Sequence, residues 1–176
     1  MKYFDELTRS MEWLAAQANT IFISQSCKYP GTAIYNTLKN IADDKKMEFS
    51  VDEHMQTGLA IGMSLDGYIP ISCYPRHNFL LAAYDQLINN ADKFPLLGTN
   101  SWQPHVIIRV GAGHNKPLNP GQQHLGAFGD AIRSMAKTIK VVDLYAPEQI
   151  LESYQEAYYN KRVTVLTEFH ECYSNK

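Results

Sequence analysis

At 176 residues, 45% hydrophobic and 19% charged, the chain is long enough to bury a core and too ordinary in composition for a fibrous or disordered protein. A net charge of −2 without a basic stripe argues against a nucleic-acid partner, and no apolar run has the length of a membrane span or the make-up of a signal peptide. Cys27, Cys73 and Cys172 are widely spaced and form no CxxC, and the histidines lack metal-ligand spacing, which suits a reducing cytoplasm and argues against a structural zinc.

The first expected element is a helix from Tyr3 to Ala18, with Phe4, Leu7, Met11, Leu14 and Ala15 on one face. Thr20 to Ser24 is a short continuous apolar run, the pattern of a buried parallel strand. Pro30-Gly31 marks a loop, Thr32 to Ala42 reads as a helix, and Lys46 to Ser50 as a short strand. Glu53 then opens an apolar, glycine-punctuated helix that stops at Asp66-Gly67. The helix macrodipole favours a glutamate in that first turn and keeps it ionised even when partly buried, whether it serves a site or only caps a core helix. Small residues at Gly58, Ala60, Gly62 and Ser64 leave room for another backbone or subunit to approach.

Tyr68 to Cys73 is a further buried strand, Asn78 to Lys93 a long helix, and Pro104 to Val110 another strand. Gly111 to Gln123 is a loop rich in Gly, Pro and Asn, and a loop of that length is usually functional or disordered. Ala127 to Ala136 reads as helix, Ile139 to Leu144 as strand, Pro147 to Tyr159 as helix and Val163 to Glu168 as a final strand. This alternation, with no linker or internal repeat, predicts a single domain over residues 1–176, a three-layer α/β/α fold with a mostly parallel sheet. Ligands of such sheets sit outside the carboxyl ends of the strands. Glu53, the Tyr74–Phe79 segment and the loop from Gly111 to His124 each follow a strand, so these positions converge on one edge.

Glu53 is followed by Gly58, Gly62 and Gly67-Tyr68-Ile69-Pro70-Ile71, then Phe79 and Ala83 to Lys93. Pro104 to Arg109, Gln123-His124, and Lys140-Val141-Val142 with Ala146-Pro147 extend the pattern. It resembles the pyrimidine-binding domain of thiamine-diphosphate-dependent enzymes, and most of all the beta subunit of the decarboxylating component of 2-oxo acid dehydrogenases such as pyruvate dehydrogenase. Transketolases are more distant relatives. The resemblance runs from the first helix to the last strand and implies a transketolase-type pyrimidine-binding fold. It implies thiamine diphosphate in a shared site, with Mg²⁺ held by a separate, alpha-type diphosphate-binding subunit, in a homodimeric or heterotetrameric assembly. Glu53 matches the glutamate that hydrogen-bonds a ring nitrogen of the cofactor's aminopyrimidine and favours its imino form. Phe79 matches the aromatic that stacks on the pyrimidine, a contact worth about 0.5–1.5 kcal/mol beyond its area burial. His124 matches a histidine that lines the substrate channel and donates to an oxyanion or shuttles protons.

The chain also departs from that family. It stops at Lys176, short of the further C-terminal domain of the beta subunits, and Gly129-Asp130-Ala131 with Asn160 only imitates the diphosphate motif, in the wrong structural context. Ser24-Gln25-Ser26 replaces an acidic turn, Cys73 an acidic residue, and Arg76 a small or apolar one. Arg76 and His77 stand beside the expected cofactor edge, where they are candidates for binding an anionic substrate or are simply solvated. The expected activity is 2-oxo acid decarboxylation with acyl transfer. The alternatives are ketol transfer on a sugar phosphate and a non-catalytic regulatory or interaction role.

Overall fold

The computed structural model describes residues 2–98, 102–116 and 119–174. Six strands form its centre: β1 (Thr20–Ser24), β2 (Lys46–Glu48), β3 (Ile69–Tyr74), β4 (Ile107–Ala112), β5 (Lys140–Leu144) and β6 (Thr164–Phe169). They pair in the order β2-β1-β3-β4-β6-β5, and each of these pairings is parallel. The α/β class and the parallel sheet are as the sequence predicts.

Strand residues alternate between two cores. Phe22, Ile71, Ile107 and Leu166 enter one, with Leu7, Met11 and Leu14 of α1 (Tyr3–Ala15), Ile34 and Leu38 of α2 (Ala33–Leu38), and Ile150 and Tyr154 of α7 (Pro147–Tyr159). Ile23, Ile108, Val110 and Val165 enter the other. There they meet Ala60 and Ile61 of α3 (Glu53–Leu65), Leu80 of α4 (His77–Leu80), Phe94 of α5 (Phe94–Leu97) and Ile132 of α6 (Gly129–Met135). Full burial of Leu7, Met11 and Leu14 stabilises the α1 contact by about 1.5–3 kcal/mol for each side chain. Among the described residues no helix is long and apolar enough to cross a membrane.

Several elements are shorter than expected, and two further departures have physical reasons. The strand expected over Pro104–Val110 lies at Ile107–Ala112, so Gly111 is a strand residue and not the start of a loop. A Cβ at Gly111 would lie 2.3 Å from Nε2 of His170 and 2.5 Å from the Pro75 carbonyl, so only glycine admits this packing. The helix expected over Asn78–Lys93 is helical but not α throughout: a 3₁₀ turn at Leu81–Ala83 and a π-helix at Gln86–Ala91 follow α4. The Asp92 N–H donates to the Leu87 carbonyl at 2.9 Å, a five-residue step. Asp92 has no exposed surface, and its carboxylate accepts from the Lys137 and Thr138 N–H groups at 2.7 and 2.6 Å.

The path of the chain places a crevice. From β1 it moves outward to β2, then returns to lay β3 on the other side of β1. Ligands bind at such reversals, outside the carboxyl ends of the strands. Ser24 and Tyr74 end the two strands there, and Glu53 begins the helix that follows β2.

Candidate functional site

Asp52 caps α3 by accepting the Met55 N–H at 2.9 Å, which leaves Glu53 in the first turn with its carboxylate half-buried at the sheet edge. The Glu53 Oε1 accepts from Nε2 of Gln25, the residue after β1, at 3.0 Å. Gln25 is itself placed by Glu48 at the end of β2, whose carboxylate accepts the Ser26 and Lys28 N–H groups at 2.5 and 2.8 Å. Ser26 has φ +58°, and those bonds help to hold it in that left-handed conformation. This turn has no acid of its own, and the neighbouring strand supplies the carboxylate.

Beneath Glu53 a directed chain of hydrogen bonds crosses the β1/β3 junction. Buried Gln56 donates to Ser72 at 2.9 Å, Ser72 donates to the Tyr74 oxygen at 2.8 Å, and Tyr74 meets Thr57 at 2.6 Å. Thr57 donates to the Glu53 carbonyl at 2.8 Å, which makes Tyr74 the donor to Thr57. Gln56 also donates to the carbonyls of Ile23 and Cys73, tying the helix to both strands. Burial pushes the Tyr74 hydroxyl up to about 12, with the Glu53 charge adding to the rise against the Ser72 and Thr57 bonds, so it stays a protonated donor.

Phe79 and His124 meet on the same edge, with ring centroids 5.1 Å apart and planes tilted by 51°. The Nδ1 of His124 is buried and has no hydrogen-bond partner among the described residues. Gly113 lets the His124 loop lie close, since a Cβ there would be 2.0 Å from the His124 carbonyl. No hydrogen bond or ion pair among the described residues joins Glu53 to Phe79 or His124. Arg76 donates to the His124 carbonyl at 3.0 Å, and partial burial lowers its pKa from the usual guanidinium value. His77 is not a surface residue: it has no exposed area, its Nε2 meets the Thr167 hydroxyl at 3.1 Å, and burial holds it down at about 4. Of this adjacent pair only Arg76 is open to a ligand.

A cavity of about 490 Å³ opens at the carboxyl ends of β3, β4 and β6, on the α1/α2 face. Of the residues singled out from the sequence, Arg76 lines it, while Glu53, Phe79, His77 and His124 do not. Its floor is a buried ion pair, Arg109 Nε to Glu168 Oε1 at 2.6 Å, with Arg109 Nη1 donating to Thr37 at 2.7 Å. Tyr154 and Tyr173 each donate to Glu168 at 2.8 Å. Sequence reasoning missed this pair, although a charge within each apolar strand run was a signal that each needed a partner. It also missed Gln25, Glu48 and Gln56, which carry no motif. No cluster of three or more His, Cys, Asp or Glu among the described residues is arranged to hold a metal ion.

No family model and no curated protein matches the chain. Among solved structures it is similar to a split-gene transketolase determined as an inactive beta4 tetramer, with a TM-score of 0.68 at 14% identity. The match covers 96% of this chain and 50% of that one, so the chain spans about half the length of that neighbour. The fold is transketolase-like.

Proposed function

We propose that the chain is a single pyrimidine-binding domain acting as one subunit of a split thiamine-diphosphate-dependent enzyme. The observation that carries this reading is the half-buried Glu53 carboxylate, held by Gln25 at the β1/β3 junction on the edge that also bears the Phe79–His124 pair. These residues fit the aminopyrimidine end of the cofactor: an anionic acceptor, an aromatic face, and a buried His124 Nδ1 that lacks a partner. The reading assigns the diphosphate and its Mg²⁺ to a separate alpha-type subunit, in a homodimeric or heterotetrameric assembly. Three free, buried cysteines suit a cytoplasmic setting.

Bound thiamine diphosphate supplies the electron sink for cleaving a bond beside a carbonyl. Glu53 would hold a ring nitrogen of the aminopyrimidine through a charge-assisted bond, with one proton between them. Gln25 fixes the carboxylate, and the Gln56–Ser72–Tyr74–Thr57 chain braces the turn that carries it. Phe79 offers the stacking surface. His124 donates to a developing oxyanion or moves a proton.

The reaction we assign is decarboxylation of a 2-oxo acid with acyl transfer, on the resemblance in sequence. Ketol transfer on a sugar phosphate is the second reading, favoured by the structural likeness to a split-gene transketolase. Calorimetry with thiamine diphosphate and Mg²⁺ tests the division of labour. The chain alone should bind negligibly, whereas its complex with a subunit carrying the family's diphosphate motif should bind and turn over a 2-oxo acid or a ketose phosphate. Tight binding by the chain alone contradicts the shared site, and a stable complex that binds no cofactor marks a non-catalytic relative.

A further inference from the structure

The segment 125–128, between the 3₁₀ turn Gln122–His124 and α6, belongs to no helix or strand, so no periodic backbone bonding holds it. It is held from the side, by residues 76–84. Oδ1 of Asn78 accepts the Gly126 N–H at 3.1 Å, and because that N–H can only donate, the orientation of the Asn78 amide is fixed. The Tyr84 hydroxyl donates to the Phe128 carbonyl at 3.4 Å, and the Gly126 carbonyl accepts the Gly113 N–H at 3.4 Å. The Phe128 ring stands nearly perpendicular to that of buried His77, with centroids 6.2 Å apart. The fit at Gly126 is close: a Cβ there would lie 2.3 Å from the tip of the Phe128 ring and 3.2 Å from Nδ2 of Asn78.

His124 depends on that support. An imidazole is commonly oriented by a hydrogen bond at one of its nitrogens. The buried Nδ1 of His124 has no such bond among the described residues, which leaves the ring to its backbone and to packing on Phe79. Asn78 precedes Phe79 on α4, so the clamp on the loop and the ring that His124 meets are carried by one helical turn. Arg76 reaches the His124 carbonyl through a long side chain with more freedom to lose, whereas the short Asn78 side chain fixes the loop at a smaller entropic cost.

We propose that Asn78 is a positioning residue: by holding the Gly126 N–H it keeps the His124 ring against Phe79. Asn78 acts through the loop and touches no reacting atom. The placement stands on this chain's geometry alone. Its consequence for catalysis rests on the reading of His124 as the group that donates to an oxyanion or moves a proton.

Proton NMR on the isolated chain reads the placement directly, as the nuclear Overhauser effect between the His124 and Phe79 rings. The parent should show it. Asn78→Ala removes the acceptor and should lose it, while Asn78→Asp keeps an acceptor and should restore it. Gly126→Ala drives the loop away from Asn78 and should lose the contact too, which decides the matter if Asn78→Ala does not fold; circular dichroism checks each variant. In the complex with the proposed diphosphate-binding subunit, Asn78→Ala should lower kcat about tenfold while thiazolium exchange, the step assigned to Glu53, keeps the parent rate. Failure of every complex to bind cofactor refutes the thiamine reading, and the NMR contact still decides the role of Asn78. The proposal is overturned if the parent lacks the contact, if folded Asn78→Ala or Gly126→Ala keeps it at parent strength, or if Asn78→Asp loses it as completely as Asn78→Ala. Equal slowing of exchange and turnover by Asn78→Ala in an active complex would also overturn it.

Discussion

His77 and His170 show how burial, more than residue type, decides chemistry. Burial brings both rings down to about 4, in His170 with the Arg76 charge adding to the effect, so both are neutral at physiological pH. Unfolded, each returns to its ordinary value near 6.5, so between about 4 and 6.5 the unfolded chain binds more protons than the native one. Stability therefore rises with pH across that window and is lost as pH falls through it. With both rings nearly or wholly buried, the loss is up to roughly 2–3 kcal/mol for each. Urea midpoints measured between pH 7 and pH 4.5 should show this slope, and His77→Gln should flatten it; an unchanged slope in that variant removes His77 as a cause. The same burial explains why His77 misleads in sequence: beside Arg76 it reads as a surface pair, and only the fold reveals Thr167 against its ring.

At the level of elements, the strands and the edge that they share were legible because buried parallel strands are continuous apolar runs and their topology is constrained. The meeting of Phe79 with His124 concerns segments placed on that edge from sequence. What was hidden depends on partners far apart in the chain, such as Arg109 with Glu168, 59 residues away, or Gln25 with Glu53, 28 residues away. Periodicity carries no record of such pairings. The π-helix at Gln86–Ala91 was hidden for a similar reason, since an α pattern and a π pattern differ by a single residue of register. Its C-cap residue, Asp92, anchors the segment leading into β5. Burial pushes that carboxyl up, but Lys93 and the hydrogen bonds from Thr138 and Lys137 outweigh it and hold it at about 2. Asp92→Ala strips buried N–H groups of their acceptor and should lower unfolding stability by about 2–4 kcal/mol in urea titrations. A change below about 0.5 kcal/mol would mean that the segment is held by other contacts.

Taken whole, the molecule is a parallel sheet with two features on its carboxyl edge: the Glu53 turn braced from α3, and a cationic cavity on the α1/α2 face. Arg76, which lines that cavity, donates to the carbonyl of His124, whose ring lies against Phe79. The edge carries a carboxylate and an aromatic ring, and in the proposed reading a second polypeptide supplies the diphosphate site. The central claim is that Glu53 acts on the cofactor. Hydrogen–deuterium exchange at the thiazolium carbon, measured in the complex of this chain with the proposed diphosphate-binding subunit, tests that claim most directly. Glu53→Gln should slow exchange by about 10²-fold or more while the complex still assembles; exchange at the parent rate in an intact Glu53→Gln complex would contradict it.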